Sequence, residues 1–177
     1  ETPMLPELGQ VLLLLALLVA AVQAVLPLAG AHRGSAALMG VARPAGYAQL
    51  ALLVAAYAVL TWAFVAQDFS VRYVATNSNT VLPMVYRYTA VWGSHEGSLL
   101  LWTLILVAWN ALVAALSRGL PEPVVARVLG VLGIVSFGFL AFLIFTSNPF
   151  ARLLPAPLEG RDLNPLLQDP GMIIHPP

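Results

Sequence analysis

Cysteine is missing from this chain of 177 residues, and so is lysine, since all eight cations are arginine. Without cysteine there is no disulfide, no thiol nucleophile and no thiolate metal site, so any metal chemistry must rest on His, Met or carboxylates. Charge of either sign is scarce: 9% of residues are charged, against roughly 25% in ordinary soluble domains. The formal net charge is zero, which excludes a basic nucleic-acid surface. No acid or base lies near the middle of an apolar run, so nothing resembles a proton relay or an ion path. The G-x-G-x-x-G, P-loop and H-E-x-x-H patterns are also absent, which leaves nucleotide and zinc-protease chemistry without support. What the chain does have is apolar bulk, with 60% hydrophobic residues and mean hydropathy +0.87. It reads as an integral membrane protein.

Four apolar stretches are long enough to cross a bilayer, which takes about 20 helical residues. They run over about 8–31, 47–66, 97–116 and 124–145. Pro27 lies inside the first, where it removes the hydrogen bond to the carbonyl of Gln23 and predicts a kink. The residues before that span include Glu1 and Glu7 and no Arg, so it reads as a retained helix and not a cleaved signal peptide. The predicted fold class is all-α: a polytopic membrane protein with four transmembrane helices and long outer loops, in a single membrane domain over 1–177.

Arginine density sets the expected orientation. Arg33 and Arg43 lie in the first connection, and Arg118 and Arg127 in or just beyond the short third one. The loop 67–96 and the segment 146–177 are longer, and their arginines are diluted by acids. Cationic density in short loops favours the cytoplasmic side. Both ends of the chain and the loop 67–96 are therefore expected on the periplasmic face of a cell inner membrane.

The loop 67–96 is too apolar for a plain solvated connection. Phe69, Val71 and Tyr73 alternate with Ser70 and Arg72, which predicts a short extended piece. Thr76 to Thr80 reads as a polar turn. After Pro83 the residues Tyr88, Trp92, His95, Leu99 and Trp102 recur at steps of three and four, predicting one helical face that leads into the third span. Trp102 and Tyr86 suit the aromatic belt of the membrane interface. Within this stretch lies Trp92-Gly-Ser-His-Glu-Gly-Ser98. Gly93 and Gly97 have the spacing that lets a helix or a flat ligand approach the backbone. His95 and Glu96 set two ionisable groups beside an apolar span, and the macrodipole favours a carboxylate at that helix start. In the spans, Gln23, Gln49, Asn110 and Ser136 each predict an interhelical hydrogen bond, and Gly130 and Gly133 predict close helix packing.

Residues 149–177 hold seven of the fourteen prolines, so no regular helix is expected there. Its many Leu and Ile residues are too apolar for a free linker, and the segment is expected to pack over the outer surface. It ends in Met172-Ile-Ile-His-Pro-Pro177. Neutral imidazole is the commonest metal ligand, and two following prolines stiffen its mounting. His175 is thus a candidate ligand for a prosthetic group, the plainer reading being a terminal His with no role. Met172 is a second candidate for such a pocket. Arg152 and Arg161 can meet carboxylates such as propionates, although the interface rule favours lipid headgroups for both.

Several long motifs carry a resemblance: Phe69-Ser-Val-Arg-Tyr-Val-Ala-Thr-Asn-Ser-Asn79, Leu82-Pro-Met-Val-Tyr-Arg87, Val91 to Trp102, Asn148-Pro-Phe150, and Asp162 to Pro177. Together they resemble the N-terminal part of the CcmF family, the haem lyase subunit of the cytochrome c maturation system. The resemblance implies a membrane protein that takes haem b from the haem chaperone CcmE and, with CcmH, attaches it to apocytochrome c. It implies that His175 is a periplasmic haem-binding histidine and metal ligand. It makes Trp92, His95 and Glu96 candidates for shaping the haem or partner site. Family members are several times longer, and their other haem histidines have no counterpart among His32 and His95. Without the remainder of the CcmF polypeptide, this stretch is expected to hold haem weakly and not to perform ligation alone. The competing expectation is a non-enzymatic structural subunit of a respiratory or transport complex.

Overall fold

A computed structural model describes residues 4–174. Its helices are α1 (Leu5–Arg33), α2 (Ala36–Met39), α3 (Ala42–Ala66), α4 (Arg72–Asn77), α5 (Met84–Ala90), α6 (His95–Leu116), α7 (Glu122–Phe145) and α8 (Pro170–Ile174), with a 3-10 turn at Pro165–Gln168. Among the described residues there is no strand, only an isolated antiparallel bridge between Val71 and Arg152. Four helices are long and apolar enough to span a membrane, as the all-α polytopic reading expected. Their C-terminal limits at Arg33, Ala66, Leu116 and Phe145 fall within two residues of the apolar limits read from the sequence. The N-terminal limits lie a little earlier, because polar and proline residues are tolerated in a first turn.

Helix α1 continues through Pro27 without a break. After it the chain reverses at Gly34, whose φ of +68° is strained for any side chain bearing a Cβ. The chain divides into two units, one holding residues 4–11, 55–102 and 143–174, the other Leu12–Val54 and Thr103–Phe142.

In the second unit the helices pack through narrow seams of small residues and bury a polar centre. Leu13, Ala16, Ala20 and Gln23 line one face of α1 and are fully buried. Ala42, Ala114, Val125 and Leu129 form an apolar cluster where α3, α6 and α7 meet. A Cβ on Gly133 would lie 2.8 Å from the backbone nitrogen of Ala24, so α7 and α1 touch backbone to backbone there. The opposite faces, including Leu18, Val25, Trp109 and Val131, stay exposed. A helix apolar on every side suits hydrocarbon. Since lipid tails are as apolar as leucine, association rests on close packing and internal hydrogen bonds.

Those bonds converge on Gln23. Its Nε2 donates to Asn110 Oδ1 at 3.0 Å and to the Leu129 carbonyl at 2.7 Å. Its Oε1 accepts from Gln49 Nε2 at 2.6 Å and from Asn110 Nδ2 at 3.2 Å. The expected interhelical bonds of Gln23, Gln49 and Asn110 thus form one network across α1, α3, α6 and α7. Ser136 does not join it, and its buried hydroxyl has no partner among the described residues. Arg43 closes the end of α6, with Nη2 donating to the Ser117 carbonyl at 3.1 Å and Nη1 bonding the Ala114 carbonyl and Ser117 Oγ. Arg127 Nη2 likewise reaches the Ala31 carbonyl in the last turn of α1 at 3.2 Å. Cations here satisfy carbonyls that a helix end leaves open.

In the first unit, segments from the loop and from the C-terminal stretch are laced together. Around the Val71–Arg152 bridge, Arg72 N–H donates to the Ala151 carbonyl and Leu153 N–H to the Ser70 carbonyl, both at 2.8 Å. Farther on, Arg161 N–H donates to the Ala75 carbonyl at 2.8 Å, and Gly160 sits against the Ser78 carbonyl with no room for a side chain. Glu159 holds Thr80 by its N–H at 3.0 Å and its hydroxyl at 2.6 Å. The Thr80 hydroxyl and then the Thr80 N–H keep the Glu159 carboxyl below its ordinary range. Leu163 is buried. The Pro-rich segment is therefore held to its unit by these hydrogen bonds and by Leu163, while Leu154, Leu158 and Leu166 stay exposed.

Three local expectations are corrected. The piece at 69–73 is extended only near Val71, and Arg72 begins the short helix α4, in which the Tyr73 ring turns inward to meet Phe64 edge-on at 5.3 Å. The supposed continuous helix from Pro83 into the third span breaks at 91–94. Short helical turns also occur at 165–168 and 170–174, since each places proline in its first turn, where no N–H is needed.

Candidate functional site

The break at 91–94 is where the motif residues gather, and a buried tyrosine organises it. The Tyr73 side chain is 2% exposed. Its hydroxyl lies 3.3, 3.1 and 3.3 Å from the carbonyls of Ala90, Val91 and Ser94, and it accepts the Ser94 N–H at 3.1 Å. The hydroxyl thereby serves the Val91 carbonyl just past α5 and the Ser94 amide before α6, backbone groups that lie outside either helix. Burial pushes the Tyr73 hydroxyl well above its ordinary range, with the bond from Ser94 opposing and the charge of Glu96 adding to the rise.

The glycines serve this turn. A Cβ on Gly97 would strike the Val91 carbonyl and the Tyr73 hydroxyl, so only glycine lets α6 begin so close to the end of α5. A Cβ on Gly93 would come 3.1 Å from Leu167 Cδ1. The chain's own residues thus occupy both close approaches, where the spacing alone had suggested a second helix or a flat ligand. Ser98 Oγ donates to the Trp92 carbonyl at 2.6 Å. Glu96 lies in the first turn of α6, where the macrodipole favours it.

The side chains of the motif point to the C-terminal stretch. Trp92 is half-buried, and its indole Nε1–H donates to the Ile173 carbonyl at 3.0 Å. His95, at the start of α6, has Nε2 2.8 Å from Ser147 Oγ just past α7. Arg152 is committed within the protein: its Nε lies 2.9 Å from Glu7 Oε1 and its Nη1 3.6 Å from Asp68 Oδ2, and it also bonds Ser70 Oγ. That corrects its reading as a propionate or headgroup cation, because two carboxylates compete for it. Arg161 is exposed. Met172 lies on α8 and is 37% exposed. His175 lies outside the described residues.

The fold and the motif geometry agree with what comparison with known proteins finds. Residues 92–177 match the family model described as cytochrome C assembly protein. Over 175 residues, 98% of the chain, it is 60% identical to the cytochrome c-type biogenesis protein CcmF of Pseudomonas aeruginosa. The corresponding protein of Escherichia coli is 54% identical over the same share. A solved structure of the cytochrome c haem lyase CcmF superimposes with a TM-score of 0.79 at 27% identity, covering 85% of this chain and 25% of that one. The chain belongs to the CcmF family. It spans about a quarter of its relatives' length, 27% for the Pseudomonas aeruginosa protein.

Within a CcmF-type protein the donor set can be tested against haem. Among the described residues no three His, Cys, Asp or Glu side chains converge on a point that could hold a metal ion. A bare ion would need such a cage, whereas a porphyrin brings four equatorial nitrogens and asks the protein only for axial donors. Sequence reasoning missed Tyr73 and Arg43, because nothing local distinguishes a tyrosine or arginine whose partners lie many residues away.

Proposed function

We propose that this chain forms part of a cytochrome c haem lyase and that His175 would hold the iron of haem b on the periplasmic face. The observation that carries the reading is the bond from Trp92 to the Ile173 carbonyl. It joins the motif region matched by the family model to the backbone two residues before His175. When bound, haem supplies an iron that takes a neutral imidazole and vinyl groups that react with the thiols of apocytochrome c.

This chain's share is binding and orientation. His175 contributes a lone pair from a neutral ring. Trp92 and the bonded loop around it give the outer surface a rigid floor. His95, whose Nε2 lies 2.8 Å from Ser147 Oγ, ties the start of α6 to the segment after α7 and stands as a candidate for shaping the haem or partner site. No side-chain nucleophile is required, because the apocytochrome provides the sulfur. The haem chaperone CcmE, CcmH and apocytochrome c are the partners this role requires, together with the rest of the longer polypeptide. The inner membrane is the compartment, with both ends of this chain outward, as the arginine distribution supports.

A dithionite-reduced absorption spectrum of the full-length protein tests the reading. Purified wild type should show a b-type haem signal, and His175→Ala should lose most of it or shift its bands. Identical spectra, or no haem in either, would return the chain to the structural, non-enzymatic class.

A further inference from the structure

We propose that the groove between α1 and the helices α2 and α3 holds one acyl chain of an anionic phospholipid, with Arg33 meeting the lipid phosphate. The groove lies wholly within the second unit and has a volume of about 580 Å³. One wall is α1, with Leu18 and Val22, and the other carries Ala37, Gly40, Ala45 and Ala48. Every lining residue is apolar, so nothing in the groove asks for a hydrogen bond. Large side chains on one wall and small ones on the other leave a trough. From Ala37 to Ala48 that wall rises about 16 Å at 1.5 Å per residue, close to half of a hydrocarbon core about 30 Å thick. One acyl chain fills that depth.

Charge at one end of the groove selects the headgroup. Ser35 N–H donates to the Gly30 carbonyl at 2.9 Å, and a Cβ on Gly30 would lie 2.7 Å from the Met39 nitrogen. Helix α2 therefore folds back at the last turn of α1, where His32 and Arg33 are exposed. Arg33 precedes Ala37 by four residues, so their Cα atoms lie at most about 14 Å apart. Arg43, Arg118 and Arg127 belong to the same end, since Arg43 bonds Ser117 and Arg127 bonds the Ala31 carbonyl. Across residues 30–48 and 115–130 the sequence has one acid, Glu122. Arg43 and Arg127 are spent on helix carbonyls, whereas Arg33 and Arg118 bond no protein group among the described residues. A guanidinium pairs with phosphate through two parallel hydrogen bonds. A further helix is a poorer occupant, because helices that end on an arginine-dense face bring arginine of their own. A lipid phosphate brings the opposite charge.

The experiment titrates the full-length protein in detergent with dioleoyl phosphatidylglycerol or with dioleoyl phosphatidylcholine, and native mass spectrometry counts the lipid retained. Wild type should hold one phosphatidylglycerol more tightly than any phosphatidylcholine. Arg33→Gln should weaken that binding about 5-fold, the worth of one arginine near an anionic headgroup, and leave phosphatidylcholine unchanged. Arg161→Gln, which removes an exposed cation from the other unit, should bind as wild type does. Gly40→Leu should lose the tight site. A Cβ there meets only carbonyls of its own preceding turn, at 3.3 and 3.6 Å, so the added side chain enters the groove. Ala37→Leu fills the groove from a second exposed position and should give the same loss, which guards against a misfolded Gly40 variant. Equal retention of the two lipids by wild type, or unchanged phosphatidylglycerol binding in Arg33→Gln, would overturn the proposal. Two other occupants would overturn it as well. A second copy would show as a dimer mass that Gly40→Leu abolishes, and a helix of the same polypeptide as an absent tight site with Ala37→Cys closed to a small membrane-soluble maleimide.

Discussion

Tyr73 shows how much one hydroxyl can organise. It sits in a loop whose alternating pattern suggested a short extended piece, yet it lies in a helical turn, buried against Phe64, and its hydroxyl meets four backbone groups between Ala90 and Ser94. Tyr73→Phe would keep the ring and take from the Ser94 N–H and the Val91 carbonyl the hydroxyl they share. The expected loss is about 1–3 kcal/mol, read as a lowered melting temperature in detergent. The same residue predicts a pH dependence. Its folded value is raised above the ordinary 10.0, so the fold prefers the neutral hydroxyl. That stability is fully present below pH 10 and is lost as pH rises toward the folded value. The Tyr73→Phe protein should lack this alkaline component, and melts taken between neutral and alkaline pH compare the two slopes directly.

At the scale of the element, the long helices were legible and the short ones were not. The apolar runs marked the C-terminal ends of α1, α3, α6 and α7 closely, because a bilayer admits backbone only as helix and demands about 20 apolar residues to do it. The turn at 91–94 was hidden. Tyr88, Trp92 and His95 keep helical spacing across it, and only the bonds of Tyr73 and Ser98 show that the chain leaves the helix between them. The arginines behave similarly. Arg43 and Arg127 entered the sequence reading as topology signals, and in the fold they also close the ends of α6 and α1.

The buried amide network belongs to this scale too, since it ties four helices through one side chain. Gln23→Leu would strand Gln49 Nε2 and the Asn110 amide in a dry interface and remove the second donor to the Leu129 carbonyl. Interhelical bonds in membranes contribute roughly 1–2 kcal/mol at most in model systems. A drop of about that size in unfolding free energy is expected, measured by denaturant titration in mixed micelles. A melting curve that matches wild type would mean the helices pack without it.

At the scale of the whole molecule, this chain brings no cysteine of its own, so labelling of an introduced thiol, compared with the same protein lacking it, reports on that position. Gly119, in the short connection before α7, and Leu158, which is fully exposed, mark the two expected sides. In intact spheroplasts a membrane-impermeant maleimide should label Leu158→Cys and leave Gly119→Cys untouched until the membrane is opened. The reverse pattern would put His175 in the cytosol and end the haem-ligand reading.

Sequence alone determined that this is a four-span helical membrane protein of the CcmF family. Both conclusions depend on properties carried locally: hydrocarbon length in the spans, and residue identity in the motifs. Tertiary structure decided what those motifs do for the fold. It turned Gly93 and Gly97 from presumed landing places into contacts with the chain's own Leu167 and Val91, and it assigned Arg152 to Glu7 and Asp68. It also set the Trp92 indole on the carbonyl of Ile173. Each of these pairs groups far apart in the chain or hidden in a non-helical turn, and hydrogen bonds form by proximity in space, which spacing along a sequence does not encode.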